Sequence, residues 1–306
     1  MLNYTFPILL IVLLGVWARH SPRTPPGFFA AIEWFAFYIA FPALLFASTA
    51  QLTFAAGDLQ LLVQATLLPT LGMVALLLLG LRLATRLPDP SRSSLIQGCV
   101  RPSTYFGLAV ATLLFPPDIA ALVMLALAIC LPLVNVVAVV ALAWWGGQSL
   151  GAWQVLRKVL ENPIILATAA GALVNVLDWP LPLFLLNTLH IVGDAALVLG
   201  LMSVGGGLVF NLAQSPPRLL ALTATLKLLA LPLLTLLLCR WLDASPAVTL
   251  AACFYSGLPT APNGYIMARQ MGGDAPLMAA QITLQTLLAM LTVPLLQWVL
   301  QAVWPA

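Results

Sequence analysis

The residues best suited to chemistry lie in two short polar stretches set inside apolar runs. One reads Gly98-Cys99-Val100-Arg101-Pro102-Ser103-Thr104-Tyr105-Phe106-Gly107, the other Ser256-Gly257-Leu258-Pro259-Thr260-Ala261-Pro262-Asn263-Gly264-Tyr265. Proline lacks a backbone donor and collides with the preceding turn, so a helix breaks there. Each break frees backbone N–H and C=O groups, and the helix that resumes begins with partial positive charge. Two such beginnings facing one another form an anion site. The side chains that would complete it are Arg101, Pro102, Ser103, Thr104 and Tyr105 from the first stretch and Thr260, Pro262 and Asn263 from the second. The guanidinium of Arg101 matches a carboxylate in a two-pronged hydrogen bond. The competing reading has Arg101 reaching outward to the membrane surface.

Other ionisable groups inside apolar runs are candidates for coupling transport to a proton or Na⁺, because burying them is costly. Asp194 follows His190 by one helical turn, so the two share a face, and Glu33 and Lys227 sit within their own runs. The structural alternative has His190 at the outer interface and Asp194 satisfying a backbone group or Lys227. Gln281 and Gln285, also one turn apart, and Asn135 would line a polar cavity or bond helix to helix. Cys99, Cys130, Cys239 and Cys253 show neither a CxxC pair nor a metal-ligand spacing, so buried thiols without a metal or cofactor are expected. Enzyme signatures are missing: there is no HExxH, Tyr255-Ser256-Gly257 lacks the leading glycine of a GxSG motif, and Gly193-Asp194 has no second intramembrane Asp. An intramembrane enzyme or a sensor is the rival class to a transporter.

These residues must be positioned in a bilayer. Of the 306 residues 62% are hydrophobic and 7% charged, against about 25% charged in soluble domains. The net charge of +3 is scattered, which argues against nucleic acid. Runs of about 20 apolar residues mark transmembrane helices, and polar, Pro and Gly breaks delimit ten, near 3–18, 27–50, 58–81, 94–115, 118–145, 161–178, 184–212, 215–241, 245–270 and 274–301. Arg19, Arg23, Arg82, Arg86, Arg92, Arg157, Lys158, Arg218 and Arg269 fall after odd-numbered spans, and Arg240 alone after an even one. Positive charge stays cytoplasmic, so both termini are expected outside the cytoplasm. Pro7 with Gly15 recurs as Pro163 with Gly171, an offset of 156, and Pro102 with Gly107 recurs as Pro259 with Gly264, offsets of 157. A duplicated unit of five spans is inverted in its second copy. The expectation is one all-α polytopic membrane domain, with repeat one over 1–150 and repeat two over 151–306.

Several segments resemble the auxin efflux carrier family: Phe37-Tyr38-Ile39-Ala40-Phe41-Pro42-Ala43-Leu44-Leu45-Phe46, the stretch from Asn162-Pro163 through Gly171 and Leu181-Pro182 to Gly205-Gly206-Gly207, and Gly257–Tyr265 followed by Gly272-Gly273-Asp274. The resemblance implies ten transmembrane helices in two inverted five-helix repeats with crossing broken helices 4 and 9, as in the sodium/bile-acid symporter type of fold. It implies secondary transport of a small organic anion, auxin in plant members and small carboxylates such as malonate or malate in bacterial ones. A bacterial inner-membrane location and a homodimer fit that picture. The family commonly has Asn at the helix 4 crossing, where Ser103 stands here, whereas Asn263 matches the helix 9 pattern.

Overall fold

The computed structural model describes residues 2–51, 57–83, 87–145, 153, 157, 160–208 and 215–303. Arg86, Lys158 and the C-terminal residue, which enter the charge count and the topology, lie outside them. All regular structure among the described residues is helical: α1 Leu2–His20, α2 Phe28–Ala50, α3 Asp58–Leu83, α4 Asp89–Val100, α5 Thr104–Leu114, α6 Pro117–Trp145, α7 Pro163–Val176, α8 Leu183–Gly206, α9 Pro217–Trp241, α10 Pro246–Ser256, α11 Asn263–Met271 and α12 Ala275–Val303. Six of them (α2, α3, α6, α8, α9 and α12) are each long and apolar enough to cross a membrane, and α5, α7, α10 and most of α1 are shorter apolar helices. The chain is an integral membrane protein. Candidate spans 4 and 9 each hold two helices, α4 with α5 and α10 with α11.

In lipid the backbone must satisfy its own polar groups, which selects helices. Hydroxyls follow the same rule: Thr49, Thr66, Thr70, Thr168 and Thr235 each donate to the carbonyl four residues back, at 2.6–3.0 Å. Two helices contain a widened π turn, Ala36–Ala40 in α2 and Leu226–Ala230 in α9. Each turn ends two residues before a proline, Pro42 and Pro232. The widening relieves the clash of the proline ring with the carbonyl four residues earlier. It also re-phases the helix by about 100° per added residue, which changes which side chains face inward.

The interior is built around α5, α6 and α10. Phe106, Leu108, Met124, Leu127, Phe254 and Leu258 are buried in one continuous cluster, and Phe115 meets Phe254 edge-on with ring centres 5.0 Å apart. Close helix pairs flank this centre. A Cβ on Gly15 of α1 would strike the Met202 carbonyl of α8, and one on Gly171 of α7 would strike the Phe46 carbonyl of α2. Small residues allow this approach, which membrane helices use in place of a hydrophobic driving force.

Hydrogen bonds also tie distant helix ends together. Arg19 Nη1 donates to the Gly206 carbonyl at 2.8 Å, Ser91 Oγ to Asp274 Oδ2 at 2.7 Å and Ser245 Oγ to Asp58 Oδ1 at 3.1 Å. Asn175 Nδ2 donates to the Ala50 carbonyl and Gln297 Nε2 to the Leu114 carbonyl, both at 3.1 Å.

Candidate functional site

Helix α4 stops at Val100 because Arg101 turns extended, with φ −86° and ψ 107°, ahead of Pro102. Helix α5 restarts at Thr104, where the Ser103 hydroxyl caps it by accepting from the Phe106 N–H. In the same way α10 ends at Ser256 and α11 restarts at Asn263 behind Pro262. The two interrupted segments run antiparallel past each other, with Pro102 opposite Thr260. The Ser103 N–H donates to the Pro259 carbonyl at 2.7 Å, and the Ala261 N–H to the Arg101 carbonyl at 3.2 Å. Peptide groups released by one break are thus satisfied by the other, which lets irregular backbone persist inside the protein.

One face of the crossing is sealed by side chains. The Thr260 hydroxyl lies 2.7 Å from the Gly98 carbonyl and 2.6 Å from Gln285 Oε1. Gln285 also accepts from the Thr260 N–H and donates to the Gly98 carbonyl. Thr260 and Gln285 therefore lock the crossing from behind. Gln281 is buried one turn away, with its Oε1 against Gly98.

The other face is hollow. A cavity of about 90 Å³ is lined by Arg101, Pro102, Ser103, Thr104 and Tyr105, by Ala261, Pro262 and Asn263, and by Asn135, Asn162, Phe37, Leu131 and Ile164. The first turns of α5 and α11 border it, so two positive helix ends adjoin the same space. Arg101 is 6% exposed. Its Nη1 lies 2.8 Å from Met267 Sδ on α11, and sulfur is a weak acceptor. Among the described residues Arg101 forms no ion pair; the two that exist are Arg92–Asp89 and Arg157–Glu161. An enclosed guanidinium beside two positive helix ends is an unbalanced arrangement that an anion would complete. Tyr105 is held by stacking on Phe41, with ring centres 5.2 Å apart and planes 7° from parallel. Asn162 caps α7 through Oδ1, accepting from Ile164 and Ile165.

The remaining candidates are spread more widely. Asn135 lines the cavity, while Gln281, Gln285 and Thr260 do not. Glu33 accepts a 2.6 Å hydrogen bond from Ser203 of α8. Asp194 is exposed on α8, on the side shared with Ile191 and Val198, and His190 is half-buried. The ion pairs do not join Asp194 to Lys227, which is fully buried in the π turn of α9. Among the lining groups, Asn162 is the one polar side chain not named as a site candidate from sequence. The available signal was its place in Asn162-Pro163, at the head of one of the segments that resemble the auxin efflux carrier family.

A larger hollow, about 620 Å³, lies between α3, α4 and α6. Its walls are chiefly apolar, and Leu78, Val136, Val140 and Trp144 on its rim are exposed on the outer surface. Its charged lining is confined to Arg82 and Arg92, and Arg92 is paired with Asp89, whereas hydroxyls, amides and a guanidinium converge on the smaller cavity at the crossing, which is therefore the candidate.

Against this geometry, residues 150–297, just under half of the chain, match the family model described as membrane transport protein. This is a membrane transport family of the auxin efflux carrier type, the family that the sequence resembles. No curated protein matches the chain. The matched region contains α7 to α11 and most of α12, and so includes the second of the two interrupted helices together with Asn162, Thr260 and Asn263.

Proposed function

We propose that the protein is a secondary transporter that carries a small organic carboxylate by alternating access, holding it where α4–α5 crosses α10–α11. The observation that carries this reading is Arg101, an enclosed guanidinium without a carboxylate partner among the described residues, on a cavity bordered by the N-termini of α5 and α11. Size narrows the class. Drug-sized sites span roughly 300–1,000 Å³, and a water occupies about 30 Å³ of liquid. A cavity of about 90 Å³ suits a mono- or dicarboxylate of a few carbons better than an aromatic acid. Arg101 supplies charge, and the Thr104 hydroxyl and the amides of Asn263, Asn135 and Asn162 supply hydrogen bonds. Glu33, His190, Asp194 and Lys227 are the titratable or charged groups from which coupling to a proton or Na⁺ would be drawn.

The wider architecture in this proposal is ten spans in two inverted repeats, with both termini outside the cytoplasm of a bacterial inner membrane. Hydrogen bonds between helix ends support the alternation. Arg19–Gly206 joins the ends of candidate spans 1 and 7, Ser91–Asp274 the starts of 4 and 10, and Ser245–Asp58 the starts of 9 and 3. Asn175–Ala50 joins the ends of 6 and 2, and Gln297–Leu114 the ends of 10 and 4. Every pair has the same parity, as strict alternation requires. The glycines at matching repeat positions, Gly15 and Gly171, also serve matching helix contacts.

The test is a thermal-shift series on purified protein with acetate, malonate and malate against chloride at equal ionic strength, followed by labelled uptake into proteoliposomes. A carboxylate should raise the melting temperature of the wild type and not of Arg101→Ala. No stabilisation by any of them, together with no uptake, would remove the reading.

A further inference from the structure

Lys227 is fully buried, and its Nζ has no hydrogen-bond partner among the described residues. It joins neither of the ion pairs described. An intramembrane ammonium in that condition is costly unless something nearby is negative. The titratable groups that act on it are the thiols of Cys99 and Cys130, and neither is a carboxylate. Their positions are informative. Cys99 is the penultimate residue of α4. The π turn that holds Lys227 packs against α4, and Pro232, five residues further along α9, lies against Cys253 and Gly257 at the end of α10. Helix α9 thus carries Lys227 past the C-terminal ends of both half-helices that lead into the crossing. The last turn of a helix leaves carbonyls without intrahelical partners and carries partial negative charge. The amides of Gln97 and Gln281, both fully buried and without hydrogen-bond partners among the described residues, line the same end of α4.

We infer that Lys227 is a built-in cation for the crossing: its ammonium serves the converging negative ends of α4 and α10, while the positive ends of α5 and α11 serve the anion. In a cation-coupled carrier the C-terminal ends of broken helices help to bind a diffusible Na⁺. Here a tethered charge takes that place, so the crossing is held together, and the anion is bound, without Na⁺. The link to anion binding rests on the proposed carboxylate site; the effect on stability does not.

The experiment compares melting of the purified protein in NaCl and in choline chloride at one ionic strength, for the wild type, Lys227→Met and Lys227→Gln, with and without malonate. The wild type should melt equally in both salts, and any malonate shift should be the same in each. Both variants should melt several degrees below the wild type in choline, with Lys227→Gln regaining stability as NaCl is added. A buried ammonium that nothing holds gives the opposite result: both variants melt at or above the wild type, and the inference fails. A saturable stabilisation of the wild type by Na⁺ also overturns it, because the negative ends would then bind the free ion. That wild-type comparison decides the matter alone if neither variant can be purified. Absence of a malonate shift in the wild type counts against the carboxylate site and leaves the salt comparison standing.

Discussion

At the residue scale, the crossing divides its polar groups between binding and construction. Arg101 faces the cavity, where its guanidinium lacks a carboxylate among the described residues. Losing a charged hydrogen bond of this kind costs about 1–3 kcal/mol, or roughly 5–150-fold in affinity. Arg101→Ala should weaken malonate binding within that range, measured by isothermal titration, and leave melting of the unliganded protein close to that of the wild type. Arg101→Lys should recover only part of the loss, since an ammonium lacks the planar fork. Asn263 lines the same cavity but is exposed, so water can replace its amide and Asn263→Ala should cost less than Arg101→Ala. Thr260 behaves in the opposite sense. Its hydroxyl is buried between the Gly98 carbonyl and Gln285 Oε1. Thr260→Val removes that hydroxyl while the Thr260 N–H and Gln285 Nε2 still serve the two acceptors, so it should lower stability by about 0.5–1.5 kcal/mol, while the protein that remains folded binds substrate nearly as well. A variant that binds poorly but melts normally would transfer Thr260 to the binding set.

At the element scale, the sequence was most informative where proline and glycine interrupt an apolar run. Those signals are local and steric, and the helices end at Val100 and Ser256 and resume at Thr104 and Asn263. Facing was far less legible. A membrane helix is apolar on every side, so hydrophobic periodicity cannot report which face turns inward. The π turn around Lys227 adds a phase shift set by Pro232. For that reason spacing alone does not decide the alternative that pairs Asp194 with Lys227. Gln281 and Gln285 fall behind the crossing, while Asn162 reaches the cavity. Glycine packing was legible only as a repeated landmark. Gly171 touches backbone, which cannot yield, whereas Gly80 on α3 has nothing within contact distance. Forcing a large side chain into a packed contact typically costs about 1–3 kcal/mol. Gly171→Leu should lower the melting temperature and the yield of monodisperse protein in size-exclusion chromatography, and Gly80→Leu should change neither. Equal behaviour of the two would dismiss the close approach of α7 to α2.

At the scale of the whole molecule, the decisive property is sidedness, because an inverted repeat exists only if the spans alternate across the bilayer. The charge asymmetry of the loops and the matched parity of the hydrogen-bonded helix ends are independent arguments. One reads where Lys and Arg fall in the sequence, and the other reads which ends meet in space. The proposed topology puts Arg157, before the sixth candidate span, opposite Asp118, which opens α6 after the fourth. Each side chain is exposed, and the four native cysteines are all buried, so background labelling by a membrane-impermeant maleimide should be low. In right-side-out vesicles Asp118→Cys should be labelled and Arg157→Cys protected; in inverted vesicles the pattern should reverse. Labelling of both from one side would break the alternation between α5 and α7. The two half-helix pairs would then enter the crossing from the same face, and the positive ends of α5 and α11 could not both border one central anion site.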